Sequence, residues 1–334
     1  MLRNHVKRSK HVQWVRVCAI ALLWELSQGA TAQQAPSASA DNAQAQTDEE
    51  LAERALDRTL VATGNVLLPS GLVEVEPEFL YTRNEQSAPG VFTDTGGAVF
   101  VSEQRLNEDL LDAAVQMRLG LPADTQAELY LPYANVREQQ VTEVGLVPRA
   151  DTNTTLSGLG DVNVAIAKTL LVERTGQPNL VARLSWNADT GPTDRALGLS
   201  TGTGFNEARL SLLATKRQDQ LVFIGVPYYD RSFEQDGERQ GDKIGMTVGA
   251  ALAASPETSL RVVLDQEFDG NREIGGSVQH GSNQTIGILT FGASMTFGAG
   301  KFLDLTIQDG LTGDAPKMAI GLGLSWRFDT PWRH

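Results

Sequence analysis

Three stretches of this chain carry residue types that could do chemistry. QHGSNQ (279–284) sets His280 near Ser282, the pair an acyl hydrolase needs when an imidazole takes the proton of an attacking hydroxyl. VEVEPE (73–78) places Glu74, Glu76 and Glu78 at every second position. In an extended strand these carboxylates share a face about 7 Å apart, near the separation used in glycoside hydrolysis. SGLGDVNVAIAKTLL (157–171) opens on a glycine pair and Asp161, which would cradle a phosphate if a helix followed.

The elements that must hold these residues decide between the readings. Beyond Asp161, Val162, Val164 and Ile166 alternate with Asn163, Ala165 and Ala167, a period of two that gives a strand and leaves no helix dipole facing the glycines. The phosphate loop is therefore rejected. Gly158 and Gly160 mark instead the place where an external loop turns into a strand, with Asp161 and Asn163 directed into a lumen near its mouth. The same period explains the glutamates, since Val73, Val75, Phe79 and Tyr81 occupy the face opposite Glu74, Glu76 and Glu78. It is cleanest in MAIGLGLSWRF, where Met318, Ile320, Leu322, Leu324, Trp326 and Phe328 share one side.

Twelve such segments are expected, near 71–82, 107–120, 125–138, 158–172, 179–188, 205–216, 220–230, 242–253, 258–268, 284–297, 301–308 and 316–328. The connections alternate as well. Long polar stretches such as 83–106, 137–157 and 188–204 follow odd segments, and tight turns (LPAD, ERTGQP, RQDQ, ASPET, GAGK) follow even ones. This predicts an all-β fold, a transmembrane antiparallel up-and-down β-barrel of about 12 strands over 71–328, with short periplasmic turns, long external loops and a tail at 329–334. A soluble β-sandwich or lipocalin-like barrel shares the period, but its apolar face looks inward and its loops have no reason to alternate.

The polar face carries too many charges for a dry core, so it must line a lumen. Its candidate residues are Glu74, Glu76, Glu78, Arg118, Asp161, Asn163, Arg183, Glu207, Arg209, Arg261, Asp265 and Arg327. The arginines supply counter-charges to the acids, and crossed charges set up a transverse field that favours polar or zwitterionic solutes. Tyr133, Trp186, Tyr229, Trp326 and Phe328 fall near strand ends on the lipid side, as an aromatic girdle requires, whereas Tyr130 and Tyr228 fall on the lumen side.

The N-terminal region stands apart from this pattern. Arg3, Lys7, Arg8 and Lys10 without an acid, the short apolar run VCAIALLW and the small-x-small ATA identify residues 1–32 as a secretory signal peptide. A membrane-anchoring helix would need roughly 18 apolar residues, and Glu25 interrupts this run. Cys18, the only cysteine, lies inside it, which excludes disulfides, thiolate metal sites and a cysteine nucleophile from the mature chain. His5 and His11 leave with it, so that His280 and His334 remain and neither a metal site nor a cofactor is expected. The formal net charge of −13 becomes about −17, and no basic stretch remains to engage nucleic acid. Residues 33–46 form a polar linker expected to be disordered. Residues 47–64 predict a short helix on the periplasmic side, with capping-box spacing of Thr47 and Glu50 and a partial stripe of Leu51, Ala55 and Leu56. It is either a docking or oligomerisation element or a solvated lead-in.

ERALDRTLVATGNVLLPSGLVEVEPEFLY (53–81), GLGDVNVAIAKTLL (158–171) and LVARLSWNADTGPTD (180–194) resemble the meta-pathway of phenol degradation family of Gram-negative outer-membrane barrels. Where members commonly carry Pro-Thr-Gly after the fifth strand, this chain has Asp189, Thr190 and Gly191. The resemblance covers most of the mature chain. It implies passage of small, aromatic or otherwise hydrophobic molecules across the outer membrane, and it brings no catalytic residues.

His280–Gly281–Ser282–Asn283 is similar, over four residues, to the His–Ser pair of outer-membrane phospholipases and lipid A deacylases. Three functions therefore stand at this point. The leading one is a passive, weakly selective channel or transporter for small molecules in the outer-membrane bilayer. The others are a surface acyl hydrolase using His280 and Ser282, and a structural or adhesive barrel without conduction. The solute and the oligomeric state are left open. A barrel is expected in the membrane fraction, running faster on a gel unboiled than boiled; a soluble periplasmic protein whose mobility boiling does not change would remove it.

Overall fold

A computed structural model describes residues 56, 60, 66–93, 95–144, 147–194, 199–298 and 300–330. The expected signal peptide, linker, most of segment 47–64 and the last four residues of the tail lie outside these. In chain order the strands are β1 (Leu72–Thr93), β2 (Val99–Leu121), β3 (Thr125–Val144), β4 (Val147–Leu159), β5 (Val162–Leu171) and β6 (Asn179–Ala188). Then come β7 (Thr193–Asp194), β8 (Leu199–Ser200), β9 (Glu207–Gln218), β10 (Leu221–Ser232), β11 (Glu238–Arg239) and β12 (Lys243–Ser255). The chain ends with β13 (Thr258–Asp269), β14 (Glu273–Ile274), β15 (Ser277–Val278), β16 (Gln284–Gly298), β17 (Lys301–Gly310) and β18 (Met318–Asp329).

Twelve of these (β1, β2, β3, β5, β6, β9, β10, β12, β13, β16, β17 and β18) form a ring of antiparallel neighbours. Pairing of β1 with β18, from Leu72↔Asp329 to Arg83↔Met318, closes it. Closure leaves no sheet edge within the ring, which is what allows strands to cross a medium without water. The two faces are inverted relative to a soluble protein. Phe79, Leu184, Leu210, Ile244, Phe291 and Ile320 are exposed on the outside, while Glu74, Arg118, Gln126, Glu207, Asp230, Asp304 and Ser325 are buried inside. A soluble sandwich or lipocalin-like barrel would show the opposite.

The tight turns follow local chemistry. Ala123 and Asp124 both take the left-handed region, at φ of 59° and 53°, in the three-residue turn that joins the paired Leu121 and Thr125. The long connections differ from expectation in two places. Stretches 83–106 and 137–157, expected as loops, are strand for most of their length. The β1–β2 hairpin continues from the level of Arg83 to Thr93↔Val99, about 33 Å of extra strand, and β3 pairs with β4 from Tyr133↔Leu159 to Val144↔Val147. Above the membrane both faces of these hairpins meet water, so the alternation that reveals a half-buried strand disappears. The fourth expected segment, 158–172, is likewise divided: Leu159 ends β4 and β5 begins at Val162, with Gly160 donating to the Pro132 carbonyl at 2.9 Å in the break.

Apolar residues do occur inside the barrel, on one side of its periplasmic end. Val222, Ile224, Ala251 and Ala253 form a buried cluster with Leu56 and Leu60, and Val66 packs on it. Ala167, Val181 and Leu213 form a second, covered by Leu67. The backbone N–H of Leu68 donates to the buried Gln126 Oε1 at 2.8 Å. Leu68 and Pro69 thus lie inside the barrel against β2 and β3, and Leu56 and Leu60 against β10 and β12. Leu56 and Leu60, helical in backbone, sit against the lumen wall. Gly120 on β2 makes room for Pro69, since a Cβ there would lie 2.1 Å from the Pro69 carbonyl oxygen. Gly120→Ala is expected to destabilise the barrel by about 1–3 kcal/mol, as overpacking does, seen as a lower temperature for conversion of the fast gel band to the slow one.

Candidate functional site

Lumen-facing charges come from different strands at the same height, and most are paired across the sheet. The Arg118 guanidinium binds Glu74 and, at 2.8 Å, Glu76, and donates to Gln116 Oε1 at 2.6 Å. Arg327 binds the other oxygen of Glu74 and lies 4.5 Å from the centre of the Phe302 ring. Arg183 meets Glu128 at 3.0 Å, Arg261 meets Asp304 at 3.0 Å, and Lys243 meets Glu207 at 3.0 Å. Arg209 binds Asp230 at 2.9 Å, reaches Glu267 at 3.6 Å and stacks 4.5 Å from the Tyr228 ring, whose hydroxyl donates to Glu267 at 2.8 Å. Small lumen residues give these side chains space to lie flat. A Cβ at Gly245 would meet the Tyr228 ring at 2.2 Å, and one at Gly292 would meet Arg261 Nε at 2.5 Å.

Two cavities lie along this wall. The larger, about 590 Å³, runs past Glu128, Asn163, Arg183, Arg209, Tyr228 and Asp265, with Asp161 and Thr203 at its edge. The smaller, about 240 Å³, is bounded by Glu76, Glu78, Asp112, Arg118, Tyr130, Arg261 and Asp304. Gln116 and Tyr130 belong to both walls, so the two are neighbours along the lumen. Glu78 and Asp112 have no hydrogen-bond or ion-pair partner among the described residues. No group of three His, Cys, Asp or Glu side chains among the described residues is arranged to hold a metal ion.

Asp161 has a different task from the charges below it. Its carboxylate accepts from the backbone N–H groups of Thr190 (3.2 Å), Gly191 (3.0 Å) and Thr203 (2.6 Å), the Thr203 hydroxyl (2.9 Å) and Asn187 Nδ2 (3.1 Å). It pins both arms of the loop between β6 and β9 to the wall. That loop continues into the next, where Gln235 binds Asp189 and Phe233 N–H donates to the Asn206 carbonyl at 2.9 Å. Above it β11, β14 and β15 form a small external sheet, where the Glu273 carboxylate beside Arg239 holds that guanidinium above the usual arginine range. At the outer lipid face Trp186 meets Phe233 with ring centres 5.2 Å apart.

Of the twelve lumen candidates, ten line the two cavities and the other two, Glu74 and Arg327, pair with each other, and each of the five arginines meets an acid. The pairings themselves were not legible: Glu128, Asp230, Asp304, Glu267, Asp112 and Lys243 belong to the site, and only the cross-strand register reveals them. His280 and Ser282 lie together in the exposed loop between β13 and β16 but not as a pair. The Ser282 hydroxyl donates to the Gln279 carbonyl at 2.7 Å and accepts from Arg272 N–H at 2.8 Å, so it closes a turn.

A closed ring of twelve strands with hydrophobes facing lipid and paired charges inside defines an outer-membrane β-barrel. The chain belongs to the family described as MetA-pathway of phenol degradation, which matches residues 90–328. Among solved structures, an outer-membrane channel from Pseudomonas putida F1 is 17% identical, with a TM-score of 0.61, over 79% of this chain and 98% of that one. The translocator domain of autotransporter NalP from Neisseria meningitidis is 13% identical, with a TM-score of 0.45, over 85% and 98%. The CymD monoaromatic hydrocarbon channel is 9% identical, with a TM-score of 0.39, over 80% and 90%. The first shares this fold; the other two are too distant to argue from. No curated protein sequence matches the chain.

Removing one partner of a buried charge cluster strands the others. Arg118→Met leaves Glu76 without a guanidinium and Glu74 with Arg327 alone, and is expected to cost about 3–5 kcal/mol, measured by urea unfolding in detergent, with much of the loss recovered when Glu76 also becomes glutamine. Asp161→Ala is expected to leave barrel stability nearly unchanged while speeding proteolysis of residues 188–206, which limited digestion followed by mass spectrometry would show.

Proposed function

We propose that the protein is a passive channel for small molecules across the outer membrane, with its N-terminal segment seated as a resident plug in the periplasmic mouth. The carrying observation is a polar lumen with neighbouring cavities of about 590 and 240 Å³ above an apolar closure. Leu56 and Leu60 are almost fully buried, at 1% and 0% exposure, and removing each from the lumen wall costs about 1.5–3 kcal/mol. That is large relative to thermal energy, so the mouth rests closed and opens when the segment is withdrawn. A solved relative of the same fold is itself an outer-membrane channel, which supports the reading.

The family's link to phenol degradation favours small aromatic solutes. The charged wall refines this, because crossed acids and bases orient dipoles and suit aromatic molecules bearing a polar group better than bare hydrocarbons. The turn-closing role of the Ser282 hydroxyl favours a loop over a hydrolase. In planar bilayers the full mature chain is expected to conduct weakly, and removing residues 47–64 or replacing both leucines (Leu56→Asp with Leu60→Asp) is expected to raise conductance severalfold. Absence of conductance and of solute flux in every form would identify a structural barrel instead.

A further inference from the structure

The smaller cavity has an imbalance that the paired charges around it do not remove. Its wall holds four carboxylates, Glu76, Glu78, Asp112 and Asp304, against two guanidiniums, Arg118 and Arg261. Arg118 is engaged by Glu74 and Glu76, and Arg261 by Asp304. Glu78 and Asp112 are left over. Glu78 stands opposite Ala114 and Asp112 opposite Leu80 in the β1–β2 register, which makes the two carboxylates diagonal neighbours on one face, about 7–8 Å apart at the backbone. A single nitrogen cation fits between carboxylates so spaced and can donate to both.

Two further observations point to an occupant. Asp304, 7% exposed, is met by Arg261 through one oxygen only, its Oδ2 lacking a hydrogen-bond partner, so it adds negative charge that the guanidinium offsets in part. Tyr130 stands at the junction of the two cavities, opposite Gln116 in the β2–β3 register, with its hydroxyl unpartnered among the described residues. Its ring offers a face to a cation or an aromatic group. A metal ion does not suit the site, because no three carboxylates among the described residues converge on one point. The charge must be met by an extended cation whose nitrogen and ring engage different parts of the wall.

We propose that this cavity is a binding subsite for organic ammonium ions carrying a small aromatic ring, with Glu78 and Asp112 receiving the ammonium and Tyr130 and Leu80 the ring. The proposal rests on the channel reading for its biological sense, but the subsite stands as a binding site whether or not solute passes. It makes the lumen discriminate by charge among aromatic molecules of similar size.

The test is calorimetric titration of the detergent-solubilised full mature chain with benzylammonium, benzyl alcohol and benzoate, alongside liposome swelling with a neutral sugar. Saturable binding of benzylammonium alone is expected, weakened at least about tenfold in the Glu78→Gln, Asp112→Asn double variant, as loss of charge-assisted hydrogen bonds predicts. The heat-shifted gel band reports whether that variant is folded; if it is not, Asp112→Asn alone serves, with a smaller loss expected. Equal binding of the three analogues, no binding of benzylammonium, or binding unchanged in a folded variant overturns the subsite. Calcium binding that the double variant abolishes, with none of benzylammonium, overturns it in favour of a metal. Retained ammonium binding with no swelling in any form removes the channel and spares the subsite.

Discussion

Inside a bilayer an unpaired backbone N–H or C=O has no water to turn to, and each one costs several kcal/mol, so a strand can cross only if both its edges are paired. Pairing of β1 with β18 satisfies that condition for the whole ring. Everything else about this chain follows from it. Once the ring closes, one face of every strand must meet lipid and the other must meet the same enclosed space. The alternation that would bury apolar residues in a soluble protein here drives the polar ones together.

Enclosure turns the lumen charges into a structural problem. Glu74 is fully buried and Arg118 nearly so, in a wall where water is scarce, so Glu74 and Glu76 are both held by the one guanidinium between them. Glycines and alanines at the same heights make that possible, because a large side chain on one strand needs a small one beside it. The lumen is therefore less an open pipe than a lattice of ion pairs with cavities left where pairing runs out. Pairing runs out at Glu78 and Asp112, both on the wall of the smaller cavity.

The two ends of the barrel are closed by different physics. At the periplasmic mouth, an apolar patch on the lumen side of β5, β6, β9, β10 and β12 receives the leucines and valine that precede β1, with the Leu68 N–H donating to Gln126 Oε1 beside them. At the outer mouth, one carboxylate, Asp161, collects five hydrogen bonds, four from the loop between β6 and β9 and one from Asn187 on β6. An apolar seal releases when its segment is withdrawn as a unit. A polar tie holds a loop in a defined place beside the solute path.

The sequence by itself determined the all-β class, the strand number and the alternation of outward apolar and inward polar residues. These are local properties: period two and turn chemistry are written within ten residues of each other. It also determined that Asp161 opens a strand and no helix, which disposed of a phosphate loop. Only the tertiary structure decided which acid meets which base, because register is set between strands dozens of residues apart. It alone decided that 83–106 and 137–157 are tall hairpins, since strands wet on both faces lose the alternation that would announce them. It also decided that Leu56 and Leu60 belong to the lumen. A partial apolar stripe asks to be buried, but nothing in its own residues says against what; the answer lies in Val222, Ile224, Ala251 and Ala253, whose inward apolar parity breaks an otherwise polar wall.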